Sequence, residues 1–172
     1  MVTIRAETSS DITPREALLN QAFGQKRFRK TSEKLRTNRV PALAFTAVDE
    51  NGKLIGTVRL WNIIAGSAGS SLLLGPLAVD CKHQKSGIGR ALMEQAIFAA
   101  RDYGADSILL VGDEPYYRRF GFSAALVRSL HLPGPVERNR FLGLELEPQA
   151  LDDAEGLVAA SGALDTADAR AA

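Results

Sequence analysis

Two rhythms of apolar residues alternate along the chain, a period of two that reads as strand and one near 3.6 that reads as helix. Val2–Ala6 is short and β-rich and opens the fold as a strand. Pro14 to Phe23 follows with Leu18, Leu19 and Phe23 on one helical face, and Asp11 stands where a capping carboxylate belongs. A basic stretch from Gln25 to Arg39 interrupts the rhythm, with Thr31-Ser32-Glu33 as the start signal of a second short helix. Leu43–Asp49 alternates, Glu50-Asn51-Gly52-Lys53 supplies a turn and Leu54–Ile64 returns, which together predict a hairpin. After a small-residue loop over 65–71, Ser71–Asp80 is almost continuously apolar, as a central strand covered on both faces would be.

A second helical rhythm runs through Gly87–Tyr103, at Ile88, Leu92, Ala96 and Ala99 or Ala100. Ser107–Val111 reads as a buried strand, Glu114–Phe120 as a brief helix ending at Gly121, and Phe122–Val127 and Phe141–Glu147 as late strands. The order β-α-α-β-β-β-α-β-α-β-β predicts an α/β fold on a mixed sheet, and no internal repeat is visible.

Composition bounds the class. The 172 residues, 45% hydrophobic and 24% charged, suit one globular domain with at most a small appendage. No apolar run reaches the ~18 residues of a membrane span, and Met1-Val2-Thr3-Ile4-Arg5 does not read as a signal peptide. Cys81 is the single cysteine, which excludes a disulfide framework and a multi-cysteine zinc site and makes a cytoplasmic location the expectation.

The net charge of +1 hides an asymmetry: residues 151–172 hold five acidic residues against Arg170, leaving +5 for residues 1–150. We therefore expect a domain over 1–150 and an Ala/Asp-rich extension over 151–172, at least partly mobile. Removing the chain from about Gly162 is expected to leave ligand affinity nearly unchanged.

Chemistry concentrates where the central strand, Leu77-Ala78-Val79, passes through a polar loop into Gly87-Ile88-Gly89 at the start of a helix. Free N–H groups gathered by such glycines, with the helix dipole, make an anion site, and Lys85 and Arg90 flank it. A tight turn without ligand is the alternative for Gly-x-Gly taken alone. A P-loop is excluded because no Gly-Lys-Ser/Thr follows at the required spacing, and Leu92 stands where a dinucleotide fingerprint needs its third glycine.

Gln84-Lys85-Ser86-Gly87-Ile88-Gly89 resembles the Gln/Arg-x-x-Gly-x-Gly/Ala pyrophosphate loop of the GNAT family of acyl-CoA N-acyltransferases. Tyr117-Arg118-Arg119-Phe120-Gly121-Phe122 is similar to that family's Tyr-x-x-x-Gly-Phe segment, at the expected distance, and the element order agrees from Val2 to about Glu147. The wording Gly112-Asp113-Glu114-Pro115-Tyr116-Tyr117 is nearest to a bacterial subgroup of acetyltransferases with poorly defined substrates.

The resemblance implies a GNAT-like fold, a mixed, mostly antiparallel sheet whose central strand splays from its neighbour. It implies acetyl-CoA as co-substrate and no metal. Main-chain groups of Leu77 and Val79 would take the acetyl-pantetheine arm. The backbone of Gln84, Lys85, Ser86, Gly87, Ile88 and Gly89, with Arg90, would hold the pyrophosphate, and side-chain substitution would matter least at Ile88. The reaction would be direct attack of a primary amine, on a small molecule or a peptide, in a ternary complex. Tyr117 would protonate the CoA thiolate, a core tyrosine with a satisfied hydroxyl being the alternative; Tyr116 is expected to pack. Many relatives carry Asn after the fifth strand, where this chain has Gly112-Asp113-Glu114, so that contact is not carried over. Asp113 or Glu114 could then touch the acceptor amine, a solvated turn being the alternative.

Asp80 reads equally as base, cap or surface residue. Cys81 and His83 are too few for a closed metal site, and Cys81 is not expected to act as a nucleophile, because His131 is far along the chain and the resemblance implies no acyl-enzyme. Seven basic residues lie within 26–39 against Glu33 alone. That segment is either a solvated face or the border of the acceptor cleft, where it would favour an acidic acceptor or the adenosine 3′-phosphate of CoA; without aromatic interleaving it does not read as a nucleic-acid surface. An exposed late strand could pair in a homodimer. The competing function is a non-catalytic acyl-CoA-binding sensor or interaction module of the same fold.

Overall fold

The computed structural model describes residues 1–166. Eight strands and three α-helices follow in chain order: β1 (Thr3–Ala6), α1 (Ile12–Phe23), β2 (Leu43–Val48), β3 (Leu54–Ala65), β4 (Ser70–Val79), α2 (Ile88–Tyr103), β5 (Ser107–Val111), α3 (Glu114–Tyr117), β6 (Ser129–His131), β7 (Phe141–Glu145) and β8 (Glu155–Ala160). The sheet runs β1-β2-β3-β4-β5-β7, antiparallel throughout except for the parallel pair β4·β5.

Both faces of the central strands are buried, which is why their sequences read as apolar runs rather than alternations. Leu72, Leu74, Ile108, Leu110, Leu142 and Leu144 face a core completed by Leu92, Met93 and Ala96 of α2. Leu73, Leu109 and Phe141 point the other way, into a second core with Trp61, Ile63 and Val158. Leu18 and Leu19 of α1 pack on Leu54 and Ala78.

Two features of β4 make the site. Val58 pairs with Leu77 but Leu60 pairs with Leu74, so β4 carries a bulge at Gly75–Pro76. β5 pairs with β4 only at Leu72 and Leu73, before that bulge. A bulge bends and twists its strand, and here the bend opens a gap between the second half of β4 and the end of β5. The carbonyl of Gly75, lost to the ladder, accepts the buried indole N–H of Trp61 at 2.6 Å. The expected splay is therefore present.

The expected boundary at residue 150 is not where the fold stops. β8 lies beyond it, antiparallel to β3 at Ile63–Ala65 and parallel to β6. Its short apolar run, Leu157-Val158, is masked in sequence by alanines and acids, yet Val158 is fully buried. The chain then bonds back to the segment before β2: Ala163 O accepts Val40 N–H, Gly162 O accepts Arg39, and Asn38 O accepts Asp165 N–H. The part of the extension over 167–172 lies outside the described residues.

Phe122–Val127 is not a strand. Ser123 makes one bridge to Gly143, and its hydroxyl then caps the N–H of Ala125, turning the chain into a 3-10 turn over Ala124–Val127. The late strands offer less open edge than expected: β8 is flanked by β3 and β6, and Ser123 occupies the outer side of β7 at Gly143. Asp11 caps the 3-10 turn before α1 rather than α1 itself, its carboxylate accepting the N–H of Thr8 at 2.8 Å and pairing with Arg5 at 2.7 Å. Among the described residues no helix is long and apolar enough to cross a membrane.

Candidate active site

Two adjoining cavities occupy the gap. The smaller, about 460 Å³, lies at the end of β4 against the loop into α2; the larger, about 870 Å³, extends from β4 and β5 under the basic segment. Leu77, Gln84 and Tyr116 line both, so the two form one cleft.

The loop from Gln84 to Gly89 is built to leave donors free. Lys85 has φ of 64° and Gly87 of 87°, and this reversal leaves the N–H groups of Lys85 and Gly87 without an acceptor among the described residues. The first N–H groups of α2 have no partner inside the helix. They open on the smaller cavity, where Lys85, Arg90 and Arg119 supply positive charge. Arg119, which the sequence reading missed, is held over the Tyr116 ring at 4.7 Å and donates to the Tyr116 carbonyl at 2.9 Å. Arg90 is exposed and pairs with Glu94 at 2.8 Å.

The two glycines serve different ends. Gly87 stands in the left-handed region at the mouth of the helix, with open space around it. Gly89 has an ordinary φ, but a Cβ there would meet the Tyr116 hydroxyl at 3.1 Å. Tyr116, expected only to pack, thus roofs the loop. Ile88 departs from expectation as well: its backbone belongs to the loop while its side chain is buried in the α2 core, so substitution there acts on packing.

Of the β4 residues, Leu77 lines both cavities and Val79 the smaller, and the Val79 carbonyl accepts the Gln84 amide at 3.4 Å. Past Leu73, β4 has no ladder partner on the β5 side, so its main chain faces the cleft.

Tyr117 sits across the gap at the end of β5. Its ring packs edge-to-face on Tyr116 at 4.9 Å and on Phe122 at 6.0 Å, and Phe122 is locked in the core. The alternative of a core tyrosine with a satisfied hydroxyl is not what the structure shows: among the described residues the phenol has no hydrogen-bond partner, and Tyr117 lines the larger cavity. Burial pushes it up to about 12, aided by Tyr116 and Asp113 and opposed by Arg140. The phenol is therefore a proton-bearing donor throughout the neutral range.

Asp113 lines the larger cavity, whereas Glu114 turns away to pair with Arg118 at 2.7 Å. Asp80 lines neither cavity; it caps the turn Cys81–His83, and the N–H of Lys82 holds its carboxyl below the usual range. Among the described residues no group of three or more His, Cys, Asp or Glu could hold a metal ion.

A family model described as an acetyltransferase (GNAT) domain matches residues 41–124, the stretch from β2 through both motifs. The chain is 30% identical over 156 residues to the uncharacterized N-acetyltransferase YhbS of Escherichia coli (strain K12), spanning 90% of this chain and 93% of that protein. The chain belongs to the GNAT family of acetyltransferases. Two GNAT structures align over most of the chain, each 28% identical. The E. coli YhbS structure in complex with CoA has a TM-score of 0.80 over 93% of this chain and 89% of that one. A GNAT acetyltransferase from Brucella melitensis in complex with acetyl-CoA has a TM-score of 0.69 over 94% and 96%.

Gln84, Lys85, Gly87, Gly89 and Arg90 line the smaller cavity and Tyr117 the larger, so the loop and the phenol expected from the sequence share one cleft. Lys30 and Arg36, from the basic segment for which a border of the acceptor cleft was one reading, line the larger cavity, and Arg140, from elsewhere in the chain, completes it without having been singled out. Dense positive charge over 26–39 was the one signal for the first two, and Arg140 had none.

Proposed function

We propose that this GNAT enzyme transfers an acetyl group from acetyl-CoA to a primary amine by direct attack in a ternary complex. The observation that carries the reading is the gap between β4 and β5, with the free-donor loop Gln84–Gly89 at one end and the unpartnered Tyr117 phenol at the other. The CoA complexes of the two similar GNAT structures support it.

The residues fit the co-substrate. Lys85, Ser86, Gly87, Ile88 and Gly89 would bind the pyrophosphate through main-chain N–H groups, with Gln84 fixing the loop to β4 and Arg90 and Arg119 adding charge. Leu77 and Val79 would hold the pantetheine arm through backbone groups that β5 leaves free. Acetyl-CoA supplies an acyl group activated as a thioester.

In this reading a backbone N–H of β4 near Val79 holds the carbonyl oxygen as negative charge builds on it. Asp113, the carboxylate in the cavity beside Tyr117, takes the proton that an alkylammonium must lose before its nitrogen can attack. The C–N bond forms and the C–S bond breaks. Tyr117 donates its O–H to the departing sulfur; the proton the thiol finally carries balances the one the nitrogen gives up on becoming an amide. A phenol near 12 facing a thiol of about 8–9 holds that sulfur chiefly as a hydrogen-bond donor.

Calorimetric titration with acetyl-CoA, followed by a screen of amines, amino acids, polyamines and peptides read by free CoA release, tests the proposal. Binding with amine-dependent release is the expected result. Failure to bind acetyl-CoA would sink the reading, and binding with release from no amine would favour a non-catalytic module.

A further inference from the structure

The wall of the larger cavity opposite β4 and β5 is cationic in a way the transfer chemistry does not use. Arg29, Lys30, Arg36 and Arg140 all line this cavity, and none lines the smaller one that holds the pyrophosphate loop. They come from three places: the 3-10 turns Gln25–Arg29 and Thr31–Leu35 with the residues just after each, and the 3-10 turn Arg138–Arg140 before β7. The fold has thus converged separate segments on one wall.

These cations are poorly neutralised. Among the described residues Arg29, Lys30 and Arg140 form no ion pair. Arg36 is buried, with its Nε and Nη2 on Glu33 at 3.2 and 2.9 Å, while Nη1 is left over and reaches toward Gly75 at the bulge. Lys30 lies over the Phe23 ring at 4.6 Å; desolvation and the charges of Arg36 and Arg140 hold its ammonium below the ordinary lysine range. Arg140 also acts on Tyr117, which brings this wall within electrostatic reach of the reacting end of the cleft.

The carboxylates of the cavity do not cancel it. Glu33 is committed to Arg36, Glu137 is exposed and forms no ion pair among the described residues, and Asp113 stands with Tyr117. Arg36 is buried, Arg140 half-buried and Arg29 and Lys30 exposed; like charges gathered along one wall repel one another, and an anion placed among them converts that repulsion into charge-assisted bonds.

We infer that the acetyl acceptor is an amine that also carries an anionic group, carboxylate or phosphate, which Lys30, Arg36 and Arg140 bind while the amine faces Asp113 and Tyr117. The inference rests on the transferase reading above and narrows it to acidic acceptors. Lys30 and Arg140 would be specificity-determining residues; Arg36, fixed by Glu33, would present a single Nη1–H to the anion.

The test is a set of matched acceptors differing only in the anion. ω-Amino acids of two to six carbons would be compared with their carboxamides, and aminoalkyl phosphates with the parent amino alcohols, each by free CoA release at low and moderate salt. The expected result is at least one chain length at which the anionic member exceeds its neutral partner in kcat/KM by tenfold or more. Lys30→Gln and Arg140→Gln should each collapse that ratio toward one. Which series responds separates carboxylate from phosphate. Equal or better use of the neutral partners at every length overturns the inference, as does a preference that survives both substitutions, or no release with any member. Acetyl-CoA titration of the same samples separates the two claims: normal binding with turnover of neutral or polycationic amines overturns only the acidic-acceptor inference, whereas no binding overturns the transferase reading beneath it.

Discussion

The ring of Tyr117 lies against Gly112, so closely that a β-carbon on Gly112 would stand 3.0 Å from Cδ2 and nearer still to Cε2. Gly112, the residue just after β5, thereby sets where the phenol enters the cleft. Tyr117 cannot retreat, because Tyr116 and the buried Phe122 pack its other sides.

Gly112→Ala should therefore act on turnover more than on ligand binding. We predict a loss of kcat of about tenfold or more, consistent with a catalytic group moved by a fraction of an ångström to one ångström. The overpacking should cost about 1–3 kcal/mol in urea unfolding. Unchanged kcat would show that the position of Tyr117 does not depend on this contact.

Gly87 and Gly89 should fail differently. Gly87→Ala forces a left-handed residue and should destabilise by about 1 kcal/mol with a raised KM for acetyl-CoA. Gly89→Ala should raise that KM with little change in stability, because the new methyl meets the Tyr116 hydroxyl at 3.1 Å. Tyr116→Phe removes the obstructing oxygen and should recover part of the loss in the double variant. No recovery would mean that Tyr116 does not roof the loop.

The sequence carried this loop openly because its signal is local: consecutive residues, two glycines and a helix start. The gap beside it was legible only through family resemblance, since a bulge at Gly75–Pro76 and pairing that ends at Leu73 are relations between strands. β8 went unread for a related reason. Its six residues hold Leu157 and Val158 among glycine, glutamate and alanine, too little to signal a strand without the edge of β3 beside it. Arg140 was illegible because nothing around it in the chain says that it meets Lys30.

Truncation before Gly162 should destabilise the fold. It removes the bonds from Gly162, Ala163 and Asp165 to Arg39, Val40 and Asn38, at about 1 kcal/mol each. A loss of about 2–3 kcal/mol in urea unfolding is the expected outcome. Acetyl-CoA affinity measured below the transition should stay within about twofold, because residues 162–165 line neither cavity of the cleft.

Acid stability should depend on Asp11. Its hydrogen bonds from Arg5, helped by those from Thr8, hold the carboxyl down to about 2 against 3.8 ordinarily. The folded state thus binds its proton later than the unfolded chain does. The stabilisation is fully present above about pH 4 and is lost as pH falls from about 4 toward 2. Asp11→Asn should lower stability by about 1–2 kcal/mol at pH 7, with the difference from wild type shrinking below pH 4. A difference that stays constant down to pH 2 would contradict the pairing.

Tyr117 is the residue on which the chemistry proposed for the cleft depends most directly. Tyr117→Phe keeps the ring packing and removes only the O–H, so one comparison decides its role: acetyl-CoA affinity by calorimetry beside kcat by free CoA release. We predict affinity within about twofold of wild type and kcat reduced by about 10²-fold or more, the range for loss of one positioned hydrogen-bond donor to developing charge. Turnover within a few-fold of wild type would contradict the account, leaving Tyr117 as a packing residue and the donor to the departing sulfur elsewhere.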